Sequence, residues 1–157
     1  MDDYYPEANH GIDHWDVVII EADFGRGLPH PEHYQNLLDF ILANSERKDK
    51  NYQHIKTQLD VDGFINYYIF NLYIANNDWV ISVLNSKGWR AKRDDGRWRW
   101  MVFDTDGSFG RSDKSSYAKN SIKDRMGDYI ILNLLSNSTF ANEFGFVARI
   151  DNDSFFS

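Results

Sequence analysis

Cysteine is absent from the 157 residues. That excludes disulfides, thiol nucleophiles and thiolate zinc sites, and it leaves the cellular compartment open. Long apolar runs are missing as well. A membrane-spanning helix needs about 20 consecutive apolar residues, and the longest candidate, Phe64 to Ala75, is interrupted by Asn66 and Asn71. The first ten residues, MDDYYPEANH, are acidic and lack an apolar stretch, so they do not read as a signal peptide. Positive charge is also short: 17 Lys and Arg face 24 Asp and Glu, for a net charge of −7. A nucleic-acid binder would need a basic face, so that class is set aside. Five basic residues do cluster, at Arg90, Lys92, Arg93, Arg97 and Arg99, around an Asp94-Asp95-Gly96 turn. Their alternation predicts the solvated face of a hairpin. The five histidines are read as incidental surface residues, because Gly11 and Pro31 break the helical spacing of His10/His14 and His30/His33. No repeat and no low-complexity tract is present.

What the chain has is apolar and aromatic surface, 42% hydrophobic and 16% aromatic residues, enough for a core. The length fits one domain, or one lobe of something larger. Asp16 to Glu21 reads as a short strand, followed by a Gly/Pro-punctuated loop from Gly25 to Pro31. Over Glu32 to Asn44, Tyr34, Leu37, Leu38, Ile41 and Leu42 recur at helical spacing. A short helix follows over Tyr52 to Leu59. Asp60 or Asp62 then offers an N-cap for a helix from Gly63 to Ala75, apolar nearly all round and hence buried. Strands are expected over Trp79 to Leu84, Trp89 to Arg93 and Arg97 to Phe103, the last two joined by an Asp-Gly turn. In the third, Trp98, Trp100 and Val102 share one face, and Arg97 and Arg99 the other. A long polar loop, Asp104 to Asp128, precedes helices over Tyr129 to Leu135 and Phe140 to Ile150. Helices combined with an antiparallel meander predict an α+β fold.

Two places combine carboxylates with special geometry. Asn76-Asn77-Asp78-Trp79 follows a buried helix, where a loop Asp is held rigidly enough to act as a base or ligand. The same tetrapeptide also reads as a plain helix C-terminal cap with a left-handed Asn. The second place is Asp104-Thr-Asp106-Gly107-Ser-Phe-Gly110, at the end of a strand. Two carboxylates one residue apart suit a hard cation such as Mg²⁺, and Gly107 permits close approach of a phosphate. An Asx-rich turn is the structural alternative. An EF-hand loop is excluded, because Phe109 and Ser115 stand where it needs Gly and Glu. The segment also imitates the D-x-D-G-T motif of haloacid-dehalogenase phosphatases, with Asp104 as nucleophile. A kinase arrangement is the third reading: a catalytic Asp after a buried helix, a hairpin, then a metal-binding Asp before a Gly-containing loop.

In succession these stretches resemble the CotH kinase family, the spore-coat-protein-H-like atypical protein kinases. The resemblance runs through Glu32 to Ile41, Val61 to Tyr68, Tyr73 to Trp79, Gly88 to Arg90, Arg97 to Phe103, Asp104 to Gly110 and Asn142 to Arg149. It implies a divergent protein-kinase-like α+β fold, present in part as a helical lobe with an antiparallel hairpin. The expected organisation is a single unit over 1–157, with 1–31 as a strand-and-loop lead-in and 32–157 as the family-matching core. The implied activity is ATP- and Mg²⁺- or Mn²⁺-dependent phosphate transfer to a Ser/Thr-rich protein substrate. Asp78 matches the family's catalytic Asp; Asp104 and Asp106 match its metal-binding motif, with Gly107 beside the nucleotide. Where the family pattern continues with Pro and Asn-Asn, this chain has Val80-Ile81-Ser82-Val83, so a metal-binding Asn gives way to Ser82 or Val83, and only Ser82 can ligate Mg²⁺. A spore-coat, secreted or cell-surface location is the corresponding expectation. The first thirty residues show no glycine-rich phosphate loop with a downstream Lys–Glu pair, so this stretch alone is expected to transfer little or no phosphate. A non-catalytic carbohydrate- or partner-binding module, with Trp89, Trp98 and Trp100 as a stacking platform, is the alternative from another class.

Overall fold

The computed structural model describes residues 4–21, 31–44, 48–76, 79, 85–111 and 129–145. Within them the chain is α+β: six helices and a three-stranded antiparallel sheet, as the sequence predicts. The helices are α1 (Tyr5–His10), α2 (Glu32–Ala43), α3 (Asp49–Gln58), α4 (Val61–Tyr73), α5 (Tyr129–Leu135) and α6 (138–145). The strands are β1 (Val17–Glu21), β2 (Lys87–Ala91) and β3 (Arg99–Met101). Their order is β1-β2-β3, with Val17 opposite Ala91 and Lys87 opposite Met101. The strand expected over Trp79 to Leu84 lies outside the described residues, Trp79 excepted, as do residues 146–150 of the last helix.

Alternation along the strands divides the apolar residues between two clusters. Val18, Ile20 and Trp100 face the main core with α2 to α6, whereas Val17, Ile19, Trp89 and Met101 face a smaller cluster under Tyr5 and Ile12. The short α1, within the stretch expected to be a strand-and-loop lead-in, therefore pads the second face of the sheet. Its last residue, His10, lies 4.8 Å from the Trp89 ring. Burial there, and the Arg99 charge, hold His10 below its usual value of 6.5, with Asp60 opposing them.

In the main cluster α2 buries Tyr34, Leu37, Leu38 and Ile41 at i, i+3, i+4 and i+7. Leu42, expected in that stripe, is exposed. The helix α4 buries seven of its thirteen residues and packs on β3, where Phe64 meets Trp100 edge-on at 5.2 Å. Each fully buried large apolar side chain contributes about 1.5–3 kcal/mol. Tyr52 of α3 donates to Glu143 Oε2 of α6 at 2.8 Å, tying the C-terminal helix to the core. Helix α6 is capped by buried Asn137, whose Oδ1 accepts from the N–H groups of Thr139 and Phe140.

The start of α4 is fixed to β3 by the backbone. Leu59 and Trp98 form a parallel bridge, with Trp98 N–H donating to Gln58 and Asp60 N–H to Trp98. Asp60 holds the N-cap position but makes no side-chain cap; its carboxylate pairs with Arg99 Nε at 2.8 Å instead. The β2–β3 connection turns at Gly96, and the reason is close approach: a Cβ there would lie 2.3 Å from the Ala91 carbonyl oxygen. The basic hairpin face is not uniformly solvated. Arg90 is buried and folds its guanidinium over the turn, donating to the carbonyls of Ala91 and Arg93.

Candidate functional site

The helix α4 ends in a Schellman motif that delivers the chain into Asn76. Ala75 is left-handed, at φ 48°; its N–H donates to Leu72, and the Asn76 N–H to Asn71. The left-handed residue of the cap is thus Ala75 rather than an Asn. The Asn76 side chain is buried and donates to Asn71 Oδ1 at 3.0 Å, while Asn71 donates to the Tyr67 carbonyl. Three residues on, Trp79 is buried edge-on against Tyr67 and Tyr68, at 5.6 and 4.8 Å. Both flanks of the Asn77-Asp78 dipeptide are therefore anchored on α4. Asp78 and Ser82, the expected catalytic residue and one expected metal ligand, lie outside the described residues.

Asp104 and Asp106 are described and exposed, just past β3. Asp104 is left-handed, at φ 47°. The Ser108 N–H then closes a turn onto the Thr105 carbonyl at 3.1 Å, with Asp106 and Gly107 at its centre. A second turn follows at once, Arg111 N–H to the Ser108 carbonyl. Its central residues Phe109 and Gly110 are both left-handed, at φ 53° and 72°. Strained backbone of this kind concentrates at functional sites. The Phe109 N–H donates at 2.8 Å to the carbonyl of Ile74, the C-cap of α4. The two motifs singled out in the sequence are therefore stitched together by backbone, although 30 residues separate Ile74 from Asp104.

The donor set fits a hard divalent cation. Asp104 and Asp106 are both exposed acidic residues on this turn. Between them and the second turn, Ser108 is 4% exposed and its Oγ has no hydrogen-bond partner among the described residues. All three donors are oxygens, as Mg²⁺ and Mn²⁺ prefer. Lys87 brings positive charge to the strand end before Asp104: its Nζ lies 4.6 Å from the Phe103 ring centroid and pairs with Glu21.

Two alternatives meet the structure less well. Trp89, Trp98 and Trp100 are 1%, 1% and 8% exposed, so they belong to the core and form no stacking platform. The strand leading to Asp104 is antiparallel to its neighbour, whereas a phosphatase D-x-D-G-T motif belongs to a parallel α/β chain. The sequence reading passed over two features. Ser108 lay inside the quoted motif, but a serine's letter does not tell a buried hydroxyl from a solvated one. His14, read as incidental, has its Nδ1 3.0 Å from Glu7 and 3.5 Å from Asp13, tying α1 to the one-turn 3₁₀ helix His14–Asp16.

Neither the curated proteins nor the solved structures yield a significant match to the chain. A family model does: that of CotH kinase protein matches residues 26–150. That span takes in α2 to α6 and both carboxylate motifs, so the chain belongs to the CotH kinase family.

Proposed function

We propose that this chain carries the catalytic-loop half of a CotH-type protein kinase, acting on ATP and a Ser/Thr-containing protein. The observation that supports it is the hydrogen bond from Phe109 N–H to Ile74, which docks the Asp104/Asp106 turn on the helix leading to Asp78. Asp78 would orient the acceptor hydroxyl and take its proton, the task of a loop carboxylate in phosphoryl transfer. Asp104 and Asp106 would hold Mg²⁺ or Mn²⁺, with Ser82 as a further ligand. The cation, when bound, neutralises charge building on the transferred phosphoryl group. Gly107, which has no side chain to intervene, would let the phosphates approach the turn backbone. Transfer of this type depends on positioning more than on covalent chemistry, so anchoring both loops on one buried helix is the relevant contribution of the fold.

The test is metal-dependent nucleotide binding. Radiolabelled ATP with Mn²⁺ should bind the wild-type chain and Asp78→Asn, and lose affinity in Asp104→Asn. With a Ser-rich acceptor, any transfer should disappear in Asp78→Asn. ATP binding that ignores both the metal and Asp104 would remove the reading. Phosphatase activity lost in Asp104→Asn would point to the haloacid-dehalogenase chemistry instead.

A further inference from the structure

We infer that the hydroxyl of Ser108 is a third protein ligand of the cation at the Asp104/Asp106 turn, an inference that rests on the metal reading above. Ser108 is 4% exposed and its Oγ is buried without a hydrogen-bond partner among the described residues. Burying an unpaired hydroxyl costs about 1–3 kcal/mol. The indole nitrogens of Trp79, Trp98 and Trp100 and Nε of Arg90 are also unpartnered. Each of those atoms belongs to a large side chain, whose apolar burial or remaining hydrogen bonds offset the loss. A serine has one methylene and nothing comparable to offset it. Alanine in the same place would keep the backbone bonds of Ser108, its N–H to Thr105 and its carbonyl to Arg111, and would shed the unpaired oxygen.

A locally unfavourable polar group is expected where function, not stability, selects the residue. Here that group stands two residues after Asp106, at the residue shared by two consecutive turns. A hydroxyl oxygen is a hard, neutral donor, compatible with Mg²⁺ and Mn²⁺. One rotation about χ1 moves it between staggered positions with no change in the backbone. The turn thus supplies a hydroxyl that a cation would use as a further oxygen ligand.

The experiment uses Mn²⁺ alone, followed by the paramagnetic resonance of the free ion, on the wild-type chain, Ser108→Ala, Ser108→Cys and Asp104→Asn. Ser108→Ala should lose about tenfold in Mn²⁺ affinity. In EDTA it should melt at the wild-type temperature or above it, which a merely structural serine would not predict. Ser108→Cys should lose Mn²⁺ affinity and gain Cd²⁺ affinity, because a thiolate is a soft ligand. The natural chain has no cysteine, so any such gain comes from position 108. If Ser108→Ala and Ser108→Cys bind Mn²⁺ as the wild type does while Asp104→Asn does not, the turn is a metal site without Ser108 and the inference fails alone. If the wild type and Asp104→Asn give the same curve, the metal reading fails and the inference falls with it.

Discussion

The backbone N–H of Phe109 donates to the carbonyl of Ile74 at 2.8 Å, and Phe109 itself is left-handed. For a residue with a Cβ this conformation costs about 1–2 kcal/mol. The ring gives little back, since it is 75% exposed. Phe109→Gly should therefore leave stability unchanged or raise it by up to about 1 kcal/mol, the glycine's freedom in the unfolded chain offsetting part of the relief. Urea denaturation checks this. A loss above about 1 kcal/mol would show that the ring packs against something that matters.

The pair of Arg99 and Asp60 joins β3 to the start of α4, and both side chains are largely buried. A double-mutant cycle with Asp60→Asn and Arg99→Gln should give a coupling energy of about 1 kcal/mol, shrinking as salt is added. A coupling of zero at low salt would mean that the backbone bridge at Leu59 and Trp98 alone fixes the junction.

Gly96→Ala tests the close approach in the β2–β3 connection. The added methyl would meet the Ala91 carbonyl oxygen, a backbone atom that cannot swing aside. The expected loss is about 1–3 kcal/mol, read as a lowered thermal midpoint. An unchanged midpoint would show that the turn relaxes freely.

The burial of Tyr52, with its bond to Glu143, makes stability depend on alkaline pH. Burial first, then the hydrogen bond to Glu143 and its negative charge, raise the Tyr52 hydroxyl well above its ordinary value of 10. The unfolded chain releases that proton at about pH 10 while the folded chain keeps it, so stability is fully present below pH 10 and falls as pH rises above it. Chemical denaturation between pH 8 and 11 should show the decline, and Tyr52→Phe should flatten it. Equal slopes in both proteins would assign the alkaline loss to other groups.

Much of this architecture is legible in the chain because periodicity reports burial directly. The i, i+3, i+4, i+7 pattern of α2 follows from spacing, and the burial of α4 from its nearly all-apolar composition. Helix α1 is harder to read, since six residues between Tyr4 and Gly11 offer too short a stretch for a period. Arg90 illustrates another limit: alternation places it on a face, but only tertiary packing decides that the face is covered. Asp60 had two available partners, the first-turn N–H groups of α4 and Arg99, and the distant one is used. At the candidate site the carboxylates were readable from their motif, but their attachment to Ile74 was not. The residues on either side of that bond include left-handed Ala75 and Phe109, a conformation which neither residue type favours.

The pairing of β1 with β2 has a consequence for synthesis. Residue 17 finds its partner only at residue 91, and β1 has β2 as its one described neighbour in the sheet. At 5–20 residues per second a ribosome takes roughly 4–14 s to deliver β2 after β1. Through that interval the Val-Val-Ile-Ile run is an unpaired, β-branched segment of the kind that pairs promiscuously with other strands. Shielding of that run on the nascent chain is therefore expected to raise the yield of folded protein.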